Sequence, residues 1–296
     1  MTKQGWIMMQ QTKHVSRRTV VAGALAAASL AVAPLPAMAN VTEAFAKSAP
    51  AEAGQTVDHS AWTKLLQTYV EAGSDGLNRV DYAGFKKDGH AALKSYVAKL
   101  EGTDPTKLSR PEQFAYWANL YNAKTIDVVL DAFPVKSIRE IQIGGGLLGF
   151  LKKSAGAGGP WKAEIMTVNG RKLSLDNVEH DIMRKVFNDP RVHYSVNCAS
   201  IGCPNLRREA FTGAKLEEQL DAGARAFVNS PRGFRVENGQ LIASSIYSWF
   251  QVDFGGSKQG VLDHARKYAD EKTKAMLSDH SDIASFKYDW ALNDTK

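Results

Sequence analysis

Apolar residues recur at helical spacing in several stretches of the chain. Trp62, Leu65, Leu66 and Tyr69 in HSAWTKLLQTYVEAG predict one amphipathic helix, and Leu93, Tyr96, Val97 and Leu100 predict a second. The strongest pattern is SRPEQFAYWANLYNAKTIDVVLDAF, residues 109–133. Phe114, Trp117, Ala118, Tyr121, Thr125, Val128 and Ala132 share one face, leaving Lys124, Asp127 and Asp131 as a narrow polar side. A helix with so wide an apolar face is mostly buried. Ser109 and Glu112 stand at capping-box spacing, and Pro111 suits the first turn. Asn122 falls inside the apolar arc. A buried amide finds partners or costs about 1–3 kcal/mol, so Asn122 is either a core amide bonded to backbone or a site residue.

Further along, WKAEIMTVNGRKLSL and GFRVENGQLIAS alternate around Asn169-Gly170 and Asn238-Gly239, which are hairpin signals. SLDNVEHDIMRKVF predicts a helix whose buried stripe is Leu175, Val178, Ile182 and Val186. At about 100° per residue Glu179 falls inside that stripe and His180 at its edge. An acid there pairs with something inside or belongs to a site. RVHYSVN reads as a strand, with Val192, Tyr194 and Val196 on one side and His193, Ser195 and Asn197 on the other. Helices at 213–229 and 260–277, a short aromatic helix at 244–254 and a closing strand at 284–294 complete the pattern. Helices and hairpins alternate without a βαβ rhythm, which predicts an α+β fold: a mostly helical single domain with short hairpins and a small antiparallel sheet.

The N-terminus changes the picture of charge and location. Arg17-Arg18, an Ala-rich apolar run and Ala37-Met38-Ala39 resemble a twin-arginine export signal over residues 1–39. Val20 stands where that signal usually carries Phe. Cleavage near Ala39 predicts a periplasmic or secreted protein. It removes four basic residues and no acid, so the net charge falls from +6 to +2. No basic stripe with interleaved aromatics remains, which argues against nucleic acid as a partner. Nothing in the mature chain is apolar enough to predict a transmembrane segment. Small polar residues at 40–57 predict a flexible tether, and the globular domain is expected over 58–294. Seven glycines between Gly144 and Gly159 predict a mobile loop over a site.

The candidate chemistry centres on RVHYSVNCASIGCPNL, which holds the chain's two cysteines, Cys198 and Cys203. Three readings stay open. The pair is a disulfide, favoured by an oxidising compartment. Alternatively, Cys198 is a nucleophilic thiolate, with His193 or His180 as base, Glu179 orienting it, and Asn197 or Asn122 among the oxyanion donors. In the third, Cys198, Cys203, His193 and His180 bind a metal such as zinc, although no spacing matches a known zinc pattern.

EQFAYWANLYNA, LSLDNVEHDIM, RVHYSVNCASIGCP and YDWALND together resemble the bacterial and plant family called domain of unknown function 547, over roughly residues 58–294. The resemblance singles out Asn119, Tyr121, Asn122, Glu179, His180, His193, Asn197, Cys198, Ser200, Cys203 and Pro204, with Ala199 where a glycine is common. It implies no substrate. Weaker is a likeness in layout to papain and transglutaminase, a buried helix followed by a His-bearing strand, although this helix lacks a cysteine. The expected function is a thiol-dependent hydrolase or acyl transferase acting on a small-molecule, peptide or envelope ligand. The competing expectations are a non-catalytic periplasmic binding or envelope-assembly module stapled by a Cys198–Cys203 disulfide, and a metal-binding domain.

Overall fold

The computed structural model describes residues 40–52, 54–143 and 159–295. The expected export signal and most of the glycine-rich loop lie outside these residues. The described part is one unit of α+β type.

The first element overturns the expectation of a tether over 40–57. Helix α1 (Val41–Phe45) starts at Asn40, whose side chain accepts the Glu43 N–H while the Glu43 carboxylate reaches back to the Asn40 N–H. That reciprocal cap stabilises a helix too short to persist alone. Phe45 is buried and meets Trp117 edge to face at 5.0 Å. Beyond it, Ala49 and Gln55 pair with Ser109 and Leu108 in isolated bridges. One large aromatic side chain thus ties down a segment whose average composition is that of a linker.

Helix α2 (Ser60–Tyr69) leads into a short hairpin, β1 (Val70–Ala72) with β2 (Asn78–Val80). Helix α3 (His90–Glu101) then packs along α4 (Arg110–Ala132), the axis of the main core. The buried residues of α4 run almost all the way round, as its apolar arc predicts. Glu112 does not form the expected capping box with Ser109; its carboxylate instead accepts the Gly213 N–H at 3.1 Å.

A second hairpin, β3 (Met166–Val168) with β4 (Arg171–Leu173), turns at Asn169-Gly170, both at positive φ. It feeds α5 (Asn177–Phe187), which is wound with i→i+5 hydrogen bonds. The wider turn spaces its buried residues as Val178, Ile182 and Met183, and leaves Val186 only half-buried. Extended stretches of this kind of helix are rare and often mark functional sites.

The strand expected over 191–197 is absent. Asp189 accepts the Arg191 N–H at 2.8 Å, Pro190 follows, and Pro190–Tyr194 forms a tight 3₁₀ turn. The alternation of side chains does not separate a wet face here, because Val192, His193, Tyr194, Ser195 and Asn197 are all buried.

Helix α6 (Leu216–Val228) packs on that turn. Strands β5 (Phe234–Glu237) and β6 (Gln240–Ser244) form a hairpin, and β7 (Ser285–Lys287) adds to β6 in parallel. Between them lie α7 (Ser245–Trp249), α8 (Lys258–Arg266) and α9 (Glu271–Ser278), covering a second core of Phe227, Tyr247, Phe254 and Leu262. No described helix is long and apolar enough to cross a membrane.

Candidate functional site

A cavity of about 830 Å³ opens where α5, the 190–204 segment, α7 and the C-terminal segment meet. Its lining includes Glu179, His180, His193, Cys198 and Cys203. Most of the residues expected to carry chemistry therefore share one space, and its geometry assigns them different tasks.

The loop that carries the cysteines is held by asparagines. Asn122 on α4 accepts the Asn197 N–H at 2.8 Å and donates to the Ser195 carbonyl at 2.9 Å. Asn197 accepts the Ala199 N–H at 2.8 Å and donates to the Pro204 carbonyl at 2.7 Å. Asn119 clasps both backbone groups of Phe211. Neither Asn122 nor Asn197 lines the cavity, and their amides are committed to backbone. Their place is beneath the site, as clamps on the loop. Ala199 sits at φ +59°, a left-handed conformation that suits glycine and strains alanine.

The C-terminal segment docks against this loop. Ile201 and Gly202 donate backbone hydrogen bonds to Ala291 and Asp289, each at 2.8 Å. A Cβ on Gly202 would lie 2.9 Å from the Asp289 backbone, so only glycine admits the strand this close. The docking delivers Tyr288 to the thiols. Its hydroxyl lies 3.1 Å from Cys198 Sγ, 3.0 Å from Cys203 Sγ and 2.9 Å from Ser200 Oγ.

Cys198 and Cys203 are free thiols and are not at disulfide distance, which corrects the expected staple. Cys198 Sγ meets the Ser200 and Tyr288 hydroxyls, and Cys203 Sγ meets the same hydroxyls and a backbone donor. The Cys198 N–H points at Cys203 Sγ from 3.0 Å, and Ser200 Oγ lies 3.5 Å from it. Burial opposes ionisation of Cys203. Hydrogen bonds from the Cys198 thiol, Ser200, Tyr288 and the Cys198 N–H outweigh it and bring the Cys203 thiol down to about 6. Cys198 is pushed the other way, first because its proton is shared toward Cys203 and then by burial. The donors thus converge on Cys203, which accepts from the Cys198 N–H and meets the Ser200 and Tyr288 hydroxyls. Behind the loop, the Arg232 guanidinium donates to the Cys203 carbonyl at 2.5 Å and to Asn205 at 2.9 Å. Arg232 is half-buried, and among the described residues no carboxylate lies within ion-pair distance of it.

The histidines stand apart from the sulfurs. Among the described residues neither thiol is hydrogen-bonded to a histidine. His193, with a side chain only 1% exposed, is fixed by Asp253: Nε2 lies 2.7 Å from the carboxylate, which Arg184 also grips at 2.6 and 3.0 Å. Phe250 stacks on the His193 ring at 4.3 Å. Burial works against the Asp253 charge, but the His193 and Arg184 hydrogen bonds prevail and hold its carboxyl below the usual range. The other His193 nitrogen, Nδ1, lies 4.0 Å from Glu179. The ionisation of the buried Tyr121 hydroxyl is pushed far up, first by burial and then by the nearby Glu179 carboxylate. His180 is different: its side chain is 33% exposed, it lies 3.9 Å from both Glu179 and Asp176, and its Nδ1 has no partner.

The expected metal set of Cys198, Cys203, His193 and His180 does not assemble. Among the described residues the donors that converge within 4.8 Å are those of His90, Asp127 and Asp131 on α3 and α4. There the ammonium groups of Lys94 and Lys124, at 2.8 and 3.0 Å from Asp127, already neutralise the acids.

Asp253, Tyr288 and Arg232 escaped sequence reasoning. Asp253 had one visible signal, a lone acid in the aromatic segment SSIYSWFQVDF. Tyr288 lay in a segment already set apart, YDWALND, but nothing local links it to Cys203, 85 positions away.

Residues 105–228 match the family described as "Protein of unknown function, DUF547", which supports the resemblance over that segment. The matched span holds α4, α5 and the cysteine loop, and stops before Arg232, Asp253 and Tyr288. No curated protein and no solved structure matches the chain.

Proposed function

We propose that this cavity is the active site of a thiol-dependent hydrolase or acyl transferase, with Cys203 as nucleophile. One observation carries the reading: a thiol within hydrogen-bond distance of the Cys198 N–H and the Tyr288 hydroxyl shares a cavity with a partly exposed histidine beside a carboxylate. A thiolate formed by donors needs no histidine contact to be nucleophilic at neutral pH. The histidine is then free to serve the leaving group.

The reaction runs in two halves. Cys203 Sγ adds to an acyl carbon, and the carbonyl electron pair moves onto oxygen. Sulfur loses its charge in that step, so the Tyr288 O–H and Cys198 N–H are released toward the new oxyanion. Collapse of the oxyanion breaks the bond to the leaving oxygen or sulfur, which takes a proton from His180. Water or an acceptor hydroxyl then gives its proton to His180, attacks the thioester and expels the Cys203 thiolate. Glu179 steadies the imidazolium of His180, while Asp253 and His193 fix the wall on which Glu179 stands.

Export through the residue 1–39 signal is part of the same proposal. Cleavage after Ala39 would expose Asn40, the residue whose side chain caps α1, so the mature chain would begin at its first structural contact.

The test is release of p-nitrophenol from p-nitrophenyl acetate by the reduced mature protein. Turnover is expected in the wild type, absent in Cys203→Ser, and reduced about 10²–10⁴-fold in His180→Gln, the usual span for a lost acid–base group. Equal turnover in wild type and Cys203→Ser overturns the reading.

A further inference from the structure

Four aromatic residues in mutual contact line the cavity. Tyr288 and Trp290 have ring centroids 4.6 Å apart, Trp249 and Tyr288 4.8 Å, Trp249 and Trp290 5.6 Å, and Trp161 and Trp290 5.7 Å. All four line the cavity, and Trp249 is 48% exposed. A tryptophan exposed to this degree at the rim of a cavity is a candidate ligand contact.

The geometry selects among ligands. Rings that frame a cation leave a hole between them, because the cation lies within about 6 Å of each centroid. Here the rings pack tilted and edge-on against one another, and the Arg139 guanidinium already lies 5.3 Å over the Trp290 ring, so no open cage for a second cation is left. An aliphatic chain would lie on such a surface but would use none of its polar atoms. Among the described residues no hydrogen-bond acceptor is found for the indole N–H groups of Trp161, Trp249 and Trp290, so three ring-edge donors remain open to a ligand. Asp176 and Glu179 line the same cavity and supply acceptors. Apolar ring faces, acceptor oxygens and donor hydroxyls occur together in a saccharide ring, and the volume of about 830 Å³ exceeds what one such ring fills.

We propose that the Trp161–Trp249–Tyr288–Trp290 wall binds the rings of a neutral oligosaccharide. Taken with the thiol chemistry, on which this last step rests, the acyl group that Cys203 accepts is one carried by or delivered to a glycan. The binding itself does not depend on the thiol.

The experiment is a tryptophan-fluorescence titration of the mature protein with cellotetraose, N-acetylated chitotetraose and maltotetraose, run on wild type and on Cys203→Ser. A saturable change is expected with at least one probe. Trp249→Ala, at the exposed end of the wall, is expected to weaken that Kd at least about tenfold. Trp161→Phe, which keeps a ring and removes the N–H, should weaken it less. Melting curves show that each variant is folded. No saturable change with any probe up to about 10 mM, or an unchanged Kd in Trp249→Ala, overturns the proposal. Failure of the thiol reading looks different: sugar binding persists while p-nitrophenyl acetate is not turned over.

Discussion

Tyr288→Phe removes one oxygen and leaves the ring in its place in the aromatic wall. That oxygen lies 3.0 Å from Cys203 Sγ and donates to it when the sulfur is ionised. A hydrogen bond to a charged group contributes about 1.5–3 kcal/mol net. At about 1.4 kcal/mol per pH unit, its loss raises the Cys203 midpoint by about one to two pH units. From about 6 in the wild type, the midpoint moves to between about 7 and 8. The thiolate fraction at pH 7 then falls from about nine-tenths to between about one-half and one-tenth. The assay is the rate of iodoacetamide modification of Cys203, read by peptide mass between about pH 5 and 9. A roughly two- to tenfold slower reaction at pH 7, with equal rates at the alkaline end, is expected. A midpoint that does not move on Tyr288→Phe refutes the role of the hydroxyl. A wild-type midpoint near the free-thiol value of about 8.5 refutes the whole donor set.

Two further predictions concern the fold. Phe45→Ala should destabilise the mature protein by about 3–5 kcal/mol in urea unfolding, whereas a residue in a true tether would cost nothing measurable. Acid should weaken the protein before its carboxylates titrate. His59 and His264 are buried neutral: desolvation, aided by Lys99 and Lys267, brings their folded midpoints down to about 4, against about 6.5 in the unfolded chain. The unfolded state therefore binds protons first. The stability they confer is complete above about pH 6.5 and is lost as pH falls toward 4, at up to about 1.4 kcal/mol per pH unit for each. Urea midpoints measured across that window check this, and His264→Gln should flatten the slope; a wild-type profile flat from 6.5 to 4 would contradict it.

How much of this was legible in the sequence depended on how local each cause was. The α4 helix was, because its apolar arc is read from residues one turn apart. Both Asn-Gly hairpins were, since Asn169, Gly170, Asn238 and Gly239 all take the positive φ that such turns require. Asn122 was half legible: its place in the arc showed that it needed partners, and Ser195 and Asn197 supply them. The strand at 191–197 misled because alternation of residue types persists inside a 3₁₀ turn that is buried all round. On α5 the stripe was read at the ordinary helical angle, and the i→i+5 winding moved it. The cysteines were read from each other, five positions apart, when the deciding group was Tyr288, brought in by the C-terminal segment just after β7. A free thiol pair and a staple look the same until that contact is known.

The measurement that bears most directly on the central claim is the site of acylation. Mature protein is mixed with excess p-nitrophenyl acetate, quenched in acid within the burst, and the adduct located by peptide mass. The account predicts one acetyl group on Cys203, accumulating when His180 is replaced by Gln because the thioester then hydrolyses slowly. An adduct on Cys198, or none on either sulfur while ester is still consumed, would contradict it.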